Sequence, residues 1–86
     1  MQIKQELKQF VIDNFLYGRQ EELRDEDSFL ENGIIDSTGV LELISFLEER
    51  FGLTLEETDL TPDNLDSIEK VTRLVESRLA ALKGAE

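Results

Sequence analysis

One serine stands where a loop turns into the N-terminus of a strong amphipathic helix. Ser37 follows the Gly-Ile-Ile-Asp run at 33–36 and opens a segment of regularly spaced apolar residues that ends at Phe51. The free N–H groups and the dipole at a helix start favour an anion by about 0.3–1 kcal/mol at an exposed site. A phosphodiester on the Ser37 oxygen would lie in that field, within reach of another enzyme. The neighbouring Asp36 could hold Mg²⁺ or the basic groups of such an enzyme.

A purely structural interpretation of Ser37 stays open on this local pattern, because serine is among the preferred N-cap residues of helices. A second Asp-Ser-apolar triplet occurs at 66–68, but no Gly-Ile-Ile run precedes it. The helix that follows it carries Lys70, Arg73 and Arg78, which is the wrong charge for an acidic docking surface. We therefore interpret Ser67 as part of a helix start and prefer Ser37 as the functional serine.

The elements that must position Ser37 are all helical. The sequence predicts an all-α fold, a small bundle of three main helices plus one short helix, with a long first loop. The first predicted helix, at about 2–15, is stopped by Gly18, and a loop follows at 18–35. The second predicted helix, at 37–51, is stopped by Gly52. A short helix within 59–65 starts at Thr61-Pro62, and the last helix is predicted at about 67–82. Asp66 and Glu69 fit a capping box at the start of the last helix.

Apolar residues at helical spacing give each main helix a predicted buried stripe. These residues are Ile3, Leu7, Phe10 and Val11 in the first helix, Val40, Leu43, Ile44, Leu47 and Phe51 in the second, and Ile68, Val71, Leu74, Val75, Leu79 and Leu82 in the last. Four apolar residues, Phe29, Leu30, Ile34 and Ile35, are predicted to pin the long loop to the bundle.

Composition narrows the function classes. The 86 residues suffice for a single domain, 1–86, with a tail from about residue 83 expected to be flexible. The formal net charge of −11 disfavours nucleic acid and favours partners with basic surfaces. Without His or Cys, the chain lacks the commonest general base and the best thiol nucleophile, so we expect no catalytic residues and no enzyme.

Membrane and metal classes are also disfavoured. The sequence contains no apolar run of about 20 residues and no signal-peptide pattern, which predicts a cytoplasmic protein without a membrane span. A calcium loop starting at Asp25 fails, because Phe29 and Leu30 stand where an EF-hand needs an oxygen ligand and a glycine. We therefore predict no metal site.

Four stretches, 29–37, 40–44, 47–52 and 60–68, resemble the acyl carrier protein family, and the likeness covers most of the chain. The resemblance implies that a separate phosphopantetheinyl transferase attaches 4′-phosphopantetheine from coenzyme A to Ser37. It also implies that the cofactor holds acyl groups as thioesters in fatty acid or polyketide biosynthesis. Partners would be that transferase and acyl-loading ligases or synthases with basic surfaces, and we expect a monomer. The residues expected to dock partners on the second helix are Thr38, Glu42, Ser45, Glu48 and Glu49.

Three residues depart from the family pattern. Thr38 replaces the usual leucine after the serine, Gly39 takes an often acidic position, and Ser45 stands where an apolar docking residue is typical. These departures indicate a specialised, stand-alone carrier rather than the housekeeping fatty acid carrier. Two alternatives remain: an aminoacyl or peptidyl carrier with the same modified serine, and an acidic adaptor protein with Ser37 unmodified.

Overall fold

The computed structural model describes residues 3–16 and 23–84, and these residues form helices joined by loops. The helices are α1 (Ile3–Phe15), α2 (Ser37–Phe51), α3 (Pro62–Leu65) and α4 (Ile68–Gly84), with a 3₁₀ turn at Glu57–Asp59 between α2 and α3. The predicted all-α bundle with three main helices and a short one is confirmed. The predicted stop at Gly18 lies outside the described residues, as does the end of the predicted flexible tail. Within that tail, α4 continues to Gly84.

The core lies between α1, α2 and α4. Nine side chains are essentially removed from solvent. The three predicted stripes supply seven of them, Leu7, Val11, Leu43, Leu47, Ile68, Val71 and Val75, and the loop supplies Phe29 and Ile35. Val40 and Ile44 are only partly buried against this cluster. The expectation that Leu82 is buried is wrong, since its side chain is 49% exposed. The spacing of apolar residues identifies one face of a helix, but a residue on that face is buried only where a neighbouring element covers it.

Three of the four predicted anchors pin the loop at 23–36 to the core, and of these Ile34 is only partly buried. Phe29 and Ile35 are each 1% exposed, whereas Leu30 is 52% exposed, so the prediction for Leu30 is wrong. The Phe29 carbonyl accepts hydrogen bonds from the N–H groups of Ile34 and Ile35, at 2.8 and 3.3 Å. The loop is therefore folded tightly around Phe29 immediately before Ser37.

The junction between α3 and α4 confirms one predicted cap and contradicts another. Thr61 is the N-cap of α3 and Pro62 its first residue, as predicted. The predicted capping box of Asp66 and Glu69 is wrong. The Ser67 Oγ accepts the N–H of Lys70 at 3.1 Å, and the Glu69 N–H donates instead to the Asp25 carbonyl at 2.9 Å.

Two acidic side chains tie loops to helices. Asp59 accepts hydrogen bonds from the backbone N–H of Glu56 at 3.0 Å and from the Arg78 guanidinium on α4 at 2.5 Å. The Glu56 N–H and Arg78 together outweigh the opposing effect of burial and lower the pKa of Asp59. Burial would raise the pKa of Asp25, but hydrogen bonds from Lys4 and Lys8 on α1 lower it overall.

Across the described ranges, none of the helices combines the length and the apolar character needed to cross a membrane.

Candidate functional site

Ser37 is the first residue of α2, and Asp36 caps the helix in front of it. The Asp36 side chain accepts a hydrogen bond from the Gly39 N–H at 2.7 Å. The backbone carbonyl of Asp36 accepts one from the Val40 N–H at 3.0 Å. The interpretation of Ser37 as the N-cap is therefore wrong, because Asp36 performs that role. Asp36 is exposed and remains accessible to a basic group of a partner.

The close approach of α1 explains the glycine at position 39. Gly39 is buried, and a Cβ atom built on it would lie 2.8 Å from Phe15 Cε1 and 3.0 Å from Ile35 Cγ2. A side chain at this position would thus have to displace the Phe15 ring or Ile35. The glycine costs up to about 1 kcal/mol in helix propensity and permits this packing. It also leaves the first turn of α2 without an acidic side chain.

The first turn of α2 carries no acidic side chain and would suit a phosphate group placed on Ser37. The N–H groups of the first turn and the helix dipole favour a negative charge there, and a nearby carboxylate would oppose it. The one carboxylate at the helix start, Asp36, is held by its hydrogen bond to the Gly39 N–H. The residues around Ser37 therefore fit a phosphodiester.

An apolar groove begins one helical turn after Ser37. Its volume is about 230 Å³, and its lining residues are Phe29, Leu30, Val40, Leu60, Thr61, Pro62, Leu65 and Asp66. Val40 lies about 4.5 Å further along the α2 axis than Ser37. The apolar walls of the groove are suited to the methyl and methylene groups of a pantetheine arm. Leu60 was not predicted as a wall residue, although a single apolar residue between two polar segments was a weak signal.

Most of the predicted docking residues share one exposed face of α2. Thr38, Glu42, Ser45 and Glu49 are all exposed and follow one another at helical spacing. Glu48 differs, because its Oε2 accepts the Leu55 N–H at 3.0 Å and its side chain is half-buried. Glu48 therefore helps to hold the segment after α2.

Comparison with known proteins identifies the family. The family model described as a phosphopantetheine attachment site matches residues 12–75. This chain belongs to that family. It is therefore a carrier protein, and its cofactor is covalently attached phosphopantetheine.

Two curated relatives of this carrier are D-alanyl carrier proteins. The protein from Abiotrophia defectiva is 37% identical over 60 residues, which cover 70% of this chain and 68% of that protein. The protein from Leuconostoc mesenteroides subsp. mesenteroides is 29% identical over 77 residues, or 90% of this chain and 96% of that protein.

Two solved structures share the fold of this carrier. A holo acyl carrier protein from Nitrosomonas europaea has a TM-score of 0.77 at 23% identity, covering 93% of this chain and 99% of that one. A chain in a crystal structure described as an FAD-dependent dehydrogenase has a TM-score of 0.72 at 22% identity, covering 80% of this chain and 97% of that one. At these identities the likeness establishes the fold alone.

Proposed function

We propose that Ser37 is the attachment residue for 4′-phosphopantetheine and that the holo-protein presents a thioester-bound cargo to partner enzymes. The supporting observation is the position of Ser37 at the first residue of α2, with capping performed by Asp36. Ser37 also lies within the residues that the family model matches. The proposed docking face for the transferase and for loading enzymes is formed by Thr38, Glu42, Ser45 and Glu49, with Asp36 at its end.

The attachment site is tested by intact mass. We expect the protein, incubated with coenzyme A and a broad-specificity phosphopantetheinyl transferase, to gain the mass of one phosphopantetheine, and a Ser37→Ala variant to gain nothing. Ser67→Ala is the matched control, because Ser67 follows an aspartate at the start of α4, and it should gain the same mass as the unchanged protein. If the Ser37→Ala variant still gains the phosphopantetheine mass and the Ser67→Ala variant does not, Ser67 is the attachment residue.

For the cargo we propose an aminoacyl group of the D-alanyl kind. This choice comes from the two relatives, each of which is a D-alanyl carrier protein. The second candidate is a fatty acyl or polyketide intermediate, which the apolar groove between α2 and the α3 segment favours.

Loading of the holo-protein distinguishes the two cargo classes. With ATP, D-alanine and a D-alanine-activating ligase, we expect a mass gain of one alanyl group that hydroxylamine removes, since hydroxylamine cleaves thioesters. With ATP, octanoate and an acyl-activating ligase, we expect loading to be at least about tenfold slower. This corresponds to an activation free energy that is higher by about 1.4 kcal/mol. The reverse order of rates would favour the fatty acyl or polyketide class.

A further inference from the structure

One wall of the apolar groove near the start of α2 comes from a short stretch of chain between α2 and α4. We call this stretch, residues 56–62, the wall segment. It supplies Leu60, Thr61 and Pro62 to the groove, to which α2 contributes Val40. The position of the wall segment relative to the helices therefore sets how much space the groove encloses.

The wall segment is anchored by a charged side chain. Among residues 56–60, Asp59 is buried and the other four are exposed, including Leu60 at 39%. The buried apolar side chains on either side are Leu55, before the segment, and Leu65, after it. Asp59 thus occupies the kind of interior position at which an unpaired carboxylate is almost never found.

Arg78 of α4 is the partner that allows Asp59 to be buried. Its Nη2 lies 2.5 Å from the Asp59 Oδ2, and the two side chains are 30% and 12% exposed. The same carboxylate oxygen accepts a hydrogen bond from the Glu56 N–H at 3.0 Å, and the Asp59 carbonyl accepts one from the Asn64 side chain at 3.1 Å. Asp59 therefore links the start of the wall segment and the helix that follows it to α4.

The groove is small with the wall segment in this position. Its volume of about 230 Å³ is below the roughly 300–1,000 Å³ of pockets that enclose a drug-sized ligand. A long acyl chain could enter only if the wall segment moved outwards. Because that segment carries no buried apolar side chain between residues 56 and 60, the contact between Asp59 and Arg78 opposes such a movement.

We propose that the Asp59–Arg78 ion pair determines which cargoes the groove can take, by holding the wall segment to α4 and excluding long acyl chains. Arg78 is a positioning residue in this scheme, since it contacts the wall segment and lies outside the groove lining. A long chain on the cofactor then stays in solvent, and the carrier suits small cargoes. This inference rests on the proposed attachment at Ser37 and narrows the cargo class of that site.

The test compares a short and a long thioester on the full-length protein. A broad-specificity phosphopantetheinyl transferase loads the apo-protein directly from butanoyl-CoA or dodecanoyl-CoA, intact mass confirms the loading, and cleavage by hydroxylamine is then timed. In the unchanged protein we expect the two thioesters to be cleaved at similar rates. In Arg78→Gln the dodecanoyl thioester should be cleaved about fivefold more slowly, as when the chain spends about four-fifths of the time in the groove. The butanoyl rate should not change.

The matched control is Arg73→Gln, also on α4. Arg73 is 74% exposed and pairs with Glu69 of its own helix, so its loss should leave both cleavage rates unchanged. Two further variants separate the ion pair from a general loss of stability. Asp59→Asn should slow dodecanoyl cleavage as Arg78→Gln does, whereas Arg78→Lys, which keeps a positive charge opposite Asp59, should resemble the unchanged protein.

Three results would contradict parts of this scheme. Slow cleavage of the dodecanoyl thioester in the unchanged protein would overturn the proposal, because the groove would then admit the chain with the ion pair intact. Equal dodecanoyl rates in Arg78→Gln and Arg73→Gln would overturn the role of Arg78. Neither result affects the attachment residue. Loading that persists in Ser37→Ala would instead refute attachment at Ser37, and the argument from the groove beside it would fail as well.

Discussion

Replacing Phe29 with alanine is expected to lower the free energy of unfolding by about 3–5 kcal/mol, the usual cost of removing a buried phenylalanine side chain. Phe29 is 1% exposed and belongs to the main core. A domain of this length has a total stability of only about 4–13 kcal/mol. The variant should therefore unfold at a clearly lower urea concentration than the unchanged protein.

The adjacent Leu30 provides the control for this prediction. It is 52% exposed, so Leu30→Ala should cost less than about 1 kcal/mol although the two residues are neighbours in the chain. Urea denaturation followed by circular dichroism measures both variants on the same scale. Equal losses would contradict the prediction, because they would mean that the burial of Phe29 does not determine its contribution to stability.

The effect of Phe29 reaches Ser37, the proposed attachment residue, through the backbone. Its carbonyl accepts from the N–H groups of Ile34 and Ile35, and Ile35 directly precedes the cap residue Asp36. Ile35 is itself buried and lies close to Gly39. The ring of Phe29 therefore fixes the direction from which the chain enters α2 and, with it, where Ser37 stands.

The parts of the fold that depend on nearby residues were predictable from the sequence. The bounds of α2, 37–51, are confirmed because its apolar period is regular and Gly52 takes the left-handed conformation, with φ of 65°, that ends a helix. The start of α3 is also confirmed, because Thr61 is its N-cap and Pro62 its first residue. In each case the residues that decide the structure lie within a few positions of one another.

Features that depend on distant residues could not be predicted. The sequence shows that Gly39 weakens a helix turn, but only the folded chain shows that Phe15 occupies the space of its missing side chain. Glu48 matched the pattern of a docking residue, and its hydrogen bond to the Leu55 N–H gives it a structural role. The stacking of Phe10 on Phe46 joins residues 36 positions apart and had no local signal.

Asp66 is the clearest case of such a long-range role. After Phe29→Ala, we expect removal of the Asp66 side chain to have the second large effect on stability. The Asp66 Oδ2 accepts the Ser28 hydroxyl at 2.5 Å, and its Oδ1 accepts the Leu30 N–H at 3.0 Å. The Asp66 carbonyl also accepts the Phe29 N–H at 2.8 Å. One residue at the junction of α3 and α4 thus holds three consecutive residues of the first loop, 28–30.

We expect Asp66→Ala to lower the free energy of unfolding by about 2–3 kcal/mol, because hydrogen bonds to a charged acceptor contribute about 1.5–3 kcal/mol and two are lost together. Asp63→Ala is the matched control on α3, since Asp63 is exposed, and it should cost no more than about 1 kcal/mol. The measurement is again urea denaturation, with both variants compared at the same pH and salt.

A double-mutant cycle separates the Ser28 hydrogen bond from the rest of this contact. Ser28→Ala and Asp66→Ala should be non-additive by about 1 kcal/mol, because each removes the same bond, whereas Ser28→Ala and Asp63→Ala should add within about 0.5 kcal/mol. A coupling near zero between Ser28 and Asp66 would show that the short bond contributes nothing to stability. The loop would then be held by the burial of Phe29 and by the hydrogen bonds that the Phe29 and Leu30 N–H groups donate to Asp66.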